Sequence, residues 1–258
     1  MLKKTIMLSG IIAGSMLYAN TSVNLTANQT YLSKSKVLNI LKKIPNDNKL
    51  IQDYKTGKVK VYVQNINPDY YGLVIKKGFQ TSNAFMPKNE KYLILGRIID
   101  LKTQKILTAH PPVNVEAVKK GVVFTFGKGK KVIYVVTDPE CPFCKRLFDN
   151  KKAMSELNNN YKINVILYPL SFHKYSKEMS LYVLAGKTAK ERHQRLEEMY
   201  KGSNAFQKVK YTKVQKEKLE KELNLSKNAA KALSFTGTPE FFDSNFNQIS
   251  FAELAKNK

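Results

Sequence analysis

The sequence predicts two domains. The first is an α+β unit of one helix followed by several antiparallel strands. The second is an α/β domain whose central strand runs into a C-x-x-C motif and whose later half is filled by helices. Three observations carry this reading. Val59, Val61 and Val63 alternate with polar positions or Tyr62, the period of a half-buried strand. VIYVV (132–136) is a near-continuous apolar run, as in a strand covered on both faces, and leads directly into TDPECPFC. From about Tyr175 to Lys231 the pattern is helical, and two short strand segments follow it.

The elements follow in chain order. Residues 1–19, MLKKTIMLSGIIAGSMLYA, have the layout of a secretory signal peptide: Lys3 and Lys4 make a basic start, an apolar run extends from Thr5 to about Leu17, and Ala19 is a cleavage position. Leu17 is large where a small residue is preferred. The run is nevertheless well short of the roughly 20 residues of a spanning helix, so cleavage is expected rather than anchoring. No cysteine follows it to carry a lipid. Residues 20–108 then form the N-terminal domain, beginning with the polar stretch 20–29. A helix fits from about Tyr31 to Lys43, with Leu32, Val37, Leu38, Leu41 and Ile44 at helical spacing, Thr30 as cap and Pro45 as stop. KVKVYVQNI is a strand, Leu73–Ile75 lie in a second, and one or two more are expected between Tyr92 and Leu107.

His110, Pro111 and Pro112 break the pattern, and 109–120 is read as a linker whose VNVEAVKKG is a short helix or extended. The second domain, 121–258, opens with VVFTF, a GKGKK turn and the apolar strand. KRLFDNKKAMSELNN reads as one helix on Leu147, Met154 and Leu157, and INVILYPL as a further buried strand. Three helical segments come next, and FTGTPEFFDSNFNQIS closes with a strand, a turn at 243–245 and a second strand. Ser250 is placed to cap a last short helix.

Hydrophobic content of 43% is ordinary for a chain with a core. The net charge of +24 would point to nucleic acid in a cytosolic protein. Export, and lysines spread along the whole chain rather than gathered in one arm, favour a solvated basic surface instead, suited to acidic substrates or anionic membranes. Nucleic acid is therefore not an expected partner.

The chain has two cysteines, Cys141 and Cys144. In an exported protein a pair is ordinarily one structural disulfide. Here the bridge would close so small a loop that it removes little entropy from the unfolded chain, so the pair is better suited to chemistry. A zinc site would need two more ligands, and only His110, His173 and His193 are present, each isolated; no metal or other cofactor is expected. Thiol exchange needs a thiolate, and a free cysteine with a pKa near about 8.5 is mostly protonated. Cys141 at a helix start faces unpaired N–H groups and the positive end of the macrodipole, which favour ionisation. Pro142 suits the first helical position, where its missing donor costs nothing. Cys144, one turn on and more buried, is placed to resolve a mixed disulfide formed at Cys141. Lys145 and Arg146 add positive charge nearby, which Asp138 and Glu140 oppose. In Thr236-Gly237-Thr238-Pro239 the expectation is a cis Pro239 beside the cysteines, with the Thr238 backbone free to pair with an extended substrate.

TDPECPFCKRL after an apolar strand, YPL ending the next and GTPEFF before the last hairpin resemble the bacterial periplasmic thiol:disulfide enzymes of the DsbC and DsbG type. NEKYLILGRIIDLKTQKIL resembles the end of their dimerisation domain, so the likeness spans nearly the whole mature chain. The resemblance implies a cystatin-like N-terminal dimerisation domain, a linker helix, a thioredoxin-fold catalytic domain with a helical insertion, and a V-shaped homodimer. It further implies that Cys141 attacks, Cys144 resolves, and Thr238 with Pro239 forms the substrate-binding loop, flanked by Pro142 and Phe143. The Pro-Phe pair is closer to the Pro-Tyr of the DsbG group than to the Gly-Tyr of DsbC, and a proline-containing pair also occurs in the oxidase DsbA. No second cysteine pair is present. The expected activity is isomerisation or reduction of non-native disulfides in unfolded or misoxidised secreted proteins, with a membrane redox partner, reductase or oxidase, resetting the pair. A dimeric disulfide donor and a holdase chaperone that uses the dimer cleft are the alternatives.

Overall fold

In the computed structural model, residues 31–45, 47–78, 80–102 and 105–256 are described. They fall into two units, one ending at Pro112 and the other beginning at Val113. The expected signal peptide, the polar stretch after it and the Thr30 cap lie outside the described residues. Among the described residues no helix is long and apolar enough to cross a membrane.

In the first unit, α1 (Lys34–Leu41) begins at Ser33, whose hydroxyl accepts from the Lys36 amide. It buries Val37, Ile40 and Leu41. A second helix, α2 (Asn48–Lys55), follows where the pattern suggests none. It buries no residue fully, and its contacts with the core come from the partly covered Leu50, Ile51 and Tyr54. β1 (Lys60–Asn65), β2 (Tyr70–Lys77) and β3 (Gln80–Pro87) form an antiparallel sheet in that order. Val59, Val61 and Val63 are buried together, as their alternation requires. β3 escapes the sequence pattern because Gln80–Asn83 are exposed and only Ala84–Met86 reach the core. The strands expected between Tyr92 and Leu107 shrink to a bridge from Phe85 to Ile94 and a two-residue hairpin, β4 (Ile99–Asp100) with β5 (Lys105–Ile106). Leu95, Ile99 and Leu101, which suggest strands there, are exposed.

In the second unit, α3 (Val115–Lys120) is capped by Asn114, whose side chain accepts from the Ala117 amide at 3.0 Å. Its Val118 packs with Ala229 and Ala230 of α9 (Lys213–Ala232). The sheet contains β6 (Phe124–Phe126), β7 (Lys131–Thr137), β8 (Tyr161–Leu167), β9 (Glu240–Phe242) and β10 (Gln248–Ile249), in the order β10-β9-β7-β8-β6. Among these described strands only the β7–β8 pair is parallel. β7 is covered on both faces. Ile133 and Val135 join one core cluster with Ile163, Val165 and Phe241, while Tyr134 and Val136 join another with Ile166 and Phe242.

The helix expected after the cysteines is two helices, α4 (Pro142–Asp149) and α5 (Lys151–Asn160). Asn150 breaks them: its ψ of 89° leaves the helical range, and its side chain caps α5 by accepting from Ala153. The helical stretch resolves into α6 (Ser176–Leu184), α7 (Ala189–Tyr200), α8 (Ala205–Lys208) and α9. Ser250 starts α10 (Phe251–Lys256), its hydroxyl accepting from the Glu253 amide while the Glu253 carboxylate accepts from the Ser250 amide.

Two half-buried histidines tie stability to pH. His193 of α7 stacks on Phe126 with ring centroids 4.1 Å apart, and its buried Nε2 has no hydrogen-bond partner. His110 is half-buried in the first unit, its amide donating to Gln64 and its carbonyl accepting from Tyr31. Burial lowers the pKa of both below the usual 6.5; Glu197 opposes it at His193. The folded state then binds fewer protons than the unfolded state just below pH 6.5, so this contribution is complete above that pH and is lost as pH falls. The melting temperature of His193→Phe is expected to fall less between pH 7 and pH 5 than that of the wild type, by about 2–4 °C. Equal slopes in circular-dichroism melts would remove His193 as the titrating group.

Candidate active site

Thr137 ends β7, and Asp138-Pro139-Glu140 turn the chain into α4. Cys141 is the N-cap residue of that helix, at φ −68° and ψ 122°, and Pro142 occupies the first helical position. The extended backbone of Cys141 brings its sulfur to the helix start, where N–H groups lack intrahelical partners. Cys141 is 3% exposed and Cys144 is fully buried. From the other end of the domain, the loop before β9 brings Thr238 alongside. The Thr238–Pro239 bond is cis, and the Cys141 thiol donates to the Thr238 carbonyl at 3.4 Å. Residues almost a hundred positions apart thus share one site. Pro142 and Phe143 lie beside it on the solvent side, Phe143 being 61% exposed with the Arg146 guanidinium 4.6 Å from its ring centroid.

The two thiols ionise in opposite directions. The pKa of Cys141 is lowered from the ordinary 9.0 to about 5. The largest cause is a hydrogen bond from the Cys144 side chain. Burial opposes it, and the Thr238 hydroxyl with the backbone N–H groups of Cys144 and Phe143 assists. The Thr238 hydroxyl is buried and has no other hydrogen-bond partner, which leaves it available to the sulfur. Cys144 is driven far up, first by burial and then because its proton serves Cys141; Thr137 pulls the other way. Cys141 is therefore the first of the pair to lose its proton, which ends its donation to the Thr238 carbonyl, while Cys144 keeps its proton.

Asp138 has a structural place that the sequence does not show: it is wholly buried and hydrogen-bonded through both oxygens. Its Oδ1 accepts from the Glu140 amide at 2.8 Å and from the Ser176 hydroxyl. Its Oδ2 accepts from the Leu170 amide at 2.8 Å and lies 2.9 Å from His173 Nδ1. Glu140 accepts from the Tyr175 amide at 2.6 Å. Two carboxylates of the turn before Cys141 therefore hold the segment between β8 and α6. Glu240 does similar work on the other side. It is 7% exposed, and it accepts from the Thr236 amide at 2.7 Å and the Thr236 hydroxyl at 3.0 Å, anchoring the loop that carries Thr238. Burial raises its pKa. In the sequence, the only signal for these roles is an Asp-Pro directly after an apolar strand and a carboxylate inside an apolar hairpin. Among the described residues, no group of three or more His, Cys, Asp or Glu is placed to hold a metal ion.

Residues 125–245 match the family described as thioredoxin-like domain, a span that holds both cysteines and Thr238-Pro239. This part of the chain has a thioredoxin-like fold. No curated protein sequence matches the chain. Among solved structures, Helicobacter pylori DsbG is 14% identical over 80% of this chain and 99% of its own, with a TM-score of 0.35. Pseudomonas aeruginosa DsbA2 is 17% identical over 48% of this chain and 82% of its own, with a TM-score of 0.38. Proteus mirabilis ScsC in a compact conformation is 20% identical over 55% of this chain and 74% of its own, with a TM-score of 0.40.

Proposed function

We propose that this chain is a periplasmic thiol:disulfide oxidoreductase that isomerises or reduces non-native disulfides of secreted proteins through Cys141 and Cys144. The observation that carries the reading is the opposite ionisation of the two sulfurs beside the Thr238–Pro239 loop. In the mechanism, the Cys141 thiolate attacks one sulfur of a substrate disulfide. A Cys141–substrate bond forms, and the other substrate sulfur leaves as a thiolate. Two exits follow. If a substrate thiolate attacks the mixed disulfide, Cys141 is released and the substrate is isomerised. If Cys144 attacks, the substrate is reduced and the Cys141–Cys144 disulfide remains for a membrane partner to reset.

The Thr238 backbone would hold the substrate chain as an added strand, with Pro142 and Phe143 flanking it. The N-terminal unit, read as a cystatin-like dimerisation domain, would pair two copies around a cleft. A second reading, disulfide donor, is favoured by the same depressed Cys141. A stabilised thiolate stabilises the reduced pair, so the disulfide is readily passed on.

Incubating Cys144→Ala with a scrambled, disulfide-containing protein is expected to trap mixed disulfides at Cys141, identified by mass spectrometry. Cys141→Ala is expected to lose refolding activity on the same substrate by at least about a hundredfold. Full activity in Cys141→Ala would discard the enzyme reading in favour of a holdase. In vivo, a mostly reduced pair supports isomerase and a mostly oxidised pair supports donor.

A further inference from the structure

Thiol exchange at Cys141 leaves one buried cluster without a role. Thr137 closes β7 and Tyr200 closes α7; both side chains are almost wholly buried, and their hydroxyls are 2.6 Å apart. Thr137 also acts on the Cys144 thiol through its side chain, pulling that pKa down against burial, which places its hydroxyl beside the sulfur. The Tyr200 ring stacks on Phe148 at 4.7 Å between centroids, and Phe148 belongs to α4, the helix that carries Cys144. Tyr200 and Cys144 lie in the same apolar cluster as Leu167, Leu184 and Leu196, with the buried Thr137 hydroxyl bonded to Tyr200 beside them.

A buried hydroxyl pair can be nothing more than two polar groups satisfying each other. This pair has a third neighbour that must change charge. In the resolving step the Cys144 S–H loses its proton, and the resulting thiolate attacks the Cys141 sulfur of the mixed disulfide. The Cys141–Cys144 bond forms as the Cys141–substrate bond breaks, and the substrate sulfur leaves with the electron pair and takes up a proton. The substrate disulfide is reduced and the cysteine pair is oxidised. Burial makes an anion at Cys144 costly, and a thiolate accepts hydrogen bonds but donates none. Its arrival sets one direction of donation: the Tyr200 hydroxyl donates to Thr137 Oγ1, and the Thr137 hydroxyl donates to Cys144 Sγ. Donors held in a dry site need no reorganisation when the charge appears, and chained hydroxyls polarise one another.

We propose that Thr137 and Tyr200 form a hydroxyl relay that stabilises the Cys144 thiolate while it resolves the mixed disulfide. Thr137 touches the reacting sulfur, and Tyr200 is a positioning residue that acts through it. This role rests on the proposed function, in which Cys144 is the resolving cysteine.

Tyr200→Phe removes one oxygen and leaves the ring against Phe148. The experiment is a single-turnover reaction of the reduced full-length protein with a fluorescent peptide disulfide. It resolves formation of the mixed disulfide from release of the second peptide thiol, across pH 5–9. In Tyr200→Phe the first phase and its pH midpoint should match the wild type, while the second slows about tenfold and its midpoint moves upward. Thr137→Val should slow the second phase at least as much, and Thr137→Ser should restore it. A wild-type second phase in Tyr200→Phe at every pH would overturn the relay. So would equal slowing of both phases, which marks a general distortion. A wild-type protein that forms no mixed disulfide would sink the functional reading itself, an outcome distinguishable from either.

Discussion

Iodoacetamide is expected to alkylate Cys141 in the reduced protein at a rate that is half-maximal near pH 5, while Cys144 stays unmodified until the protein unfolds. An ordinary thiol of pKa 9.0 is about 0.1% ionised at pH 6, whereas Cys141 at about 5 is about 90% ionised, a thousandfold gain in thiolate. Part of that gain is lost, because a thiolate of lower pKa is intrinsically a weaker nucleophile. With a Brønsted slope of about 0.4–0.5, a fall from 9.0 to about 5 costs on the order of sixtyfold. The net advantage at pH 6 is therefore about tenfold, and it grows as pH falls towards 5 and vanishes above neutrality. Cys144→Ala removes the largest cause of the depression and should shift the alkylation midpoint upward. A wild-type midpoint above about pH 8 would leave no special thiolate to explain.

The same depression makes the redox state control stability in a pH-dependent way. Between pH 9 and about pH 5 the folded, reduced protein binds fewer protons at Cys141 than the unfolded chain does, so stability rises with pH through that window. The contribution is complete above about pH 9 and gone below about pH 5. At pH 7 it is worth on the order of 2–3 kcal/mol. The oxidised protein lacks it and has instead the entropic gain of a very short disulfide loop, about 2 kcal/mol and independent of pH. The two terms are similar at neutrality, so the informative quantity is the slope. The reduced form should gain on the oxidised form from pH 4.5 to pH 7.5.

Where apolar periodicity and burial coincide, the sequence is informative. VIYVV reads as a doubly covered strand and becomes β7, the centre of the second sheet. The Val59–Val61–Val63 face also ends in a core. Cys141 and Cys144 are legible because their spacing, a preceding strand and Pro142 leave few alternatives, and Thr238-Pro239 because of its place before the last hairpin. What is hidden is structure made by polar groups. α2 is short and its apolar side chains, Leu50, Ile51 and Tyr54, are only partly covered, and half of β3 faces solvent. The break at Asn150 depends on one side chain choosing to cap rather than continue a helix. Asp138, Glu140 and Glu240 look like surface charges in one dimension. Their partners, Leu170, Ser176, Tyr175 and Thr236, are fixed only by the fold. Tyr200 is hidden for the same reason, since its partner Thr137 lies on another element.

Asp138→Ala should therefore be among the most damaging single substitutions in the second unit, more so than changes at exposed Pro142 or Phe143. Removing the carboxylate strands the Leu170 and Glu140 amides, the Ser176 hydroxyl and His173 Nδ1 around a position that is itself wholly buried. Breaking such a buried, charge-assisted cluster costs about 3–5 kcal/mol, a large part of the 5–15 kcal/mol that typically separates folded from unfolded. Asp138→Asn keeps the shape and one acceptor oxygen but turns an NH₂ toward existing donors, so it should lose less than alanine and more than a surface change. His173→Ala, which leaves the other three donors satisfied, should cost about 1 kcal/mol. Urea unfolding followed by fluorescence or circular dichroism ranks the three, and the order Ala, Asn, then the histidine variant is the expected one. Proteolysis provides the local readout: the Asp138 clamp holds the segment carrying exposed Phe172, so chymotrypsin should cut there faster in Asp138→Ala under native conditions. An Asp138→Ala protein with an unchanged urea midpoint and an uncut Phe172 would mean that the carboxylate does not hold the segment in solution. With the clamp intact, Cys141 keeps its place at the start of α4, because its amide donates to the Asp138 carbonyl at 3.1 Å and the same residue's side chain fixes the turn. Stability of the turn and reactivity of the thiolate should thus fail together in Asp138→Ala.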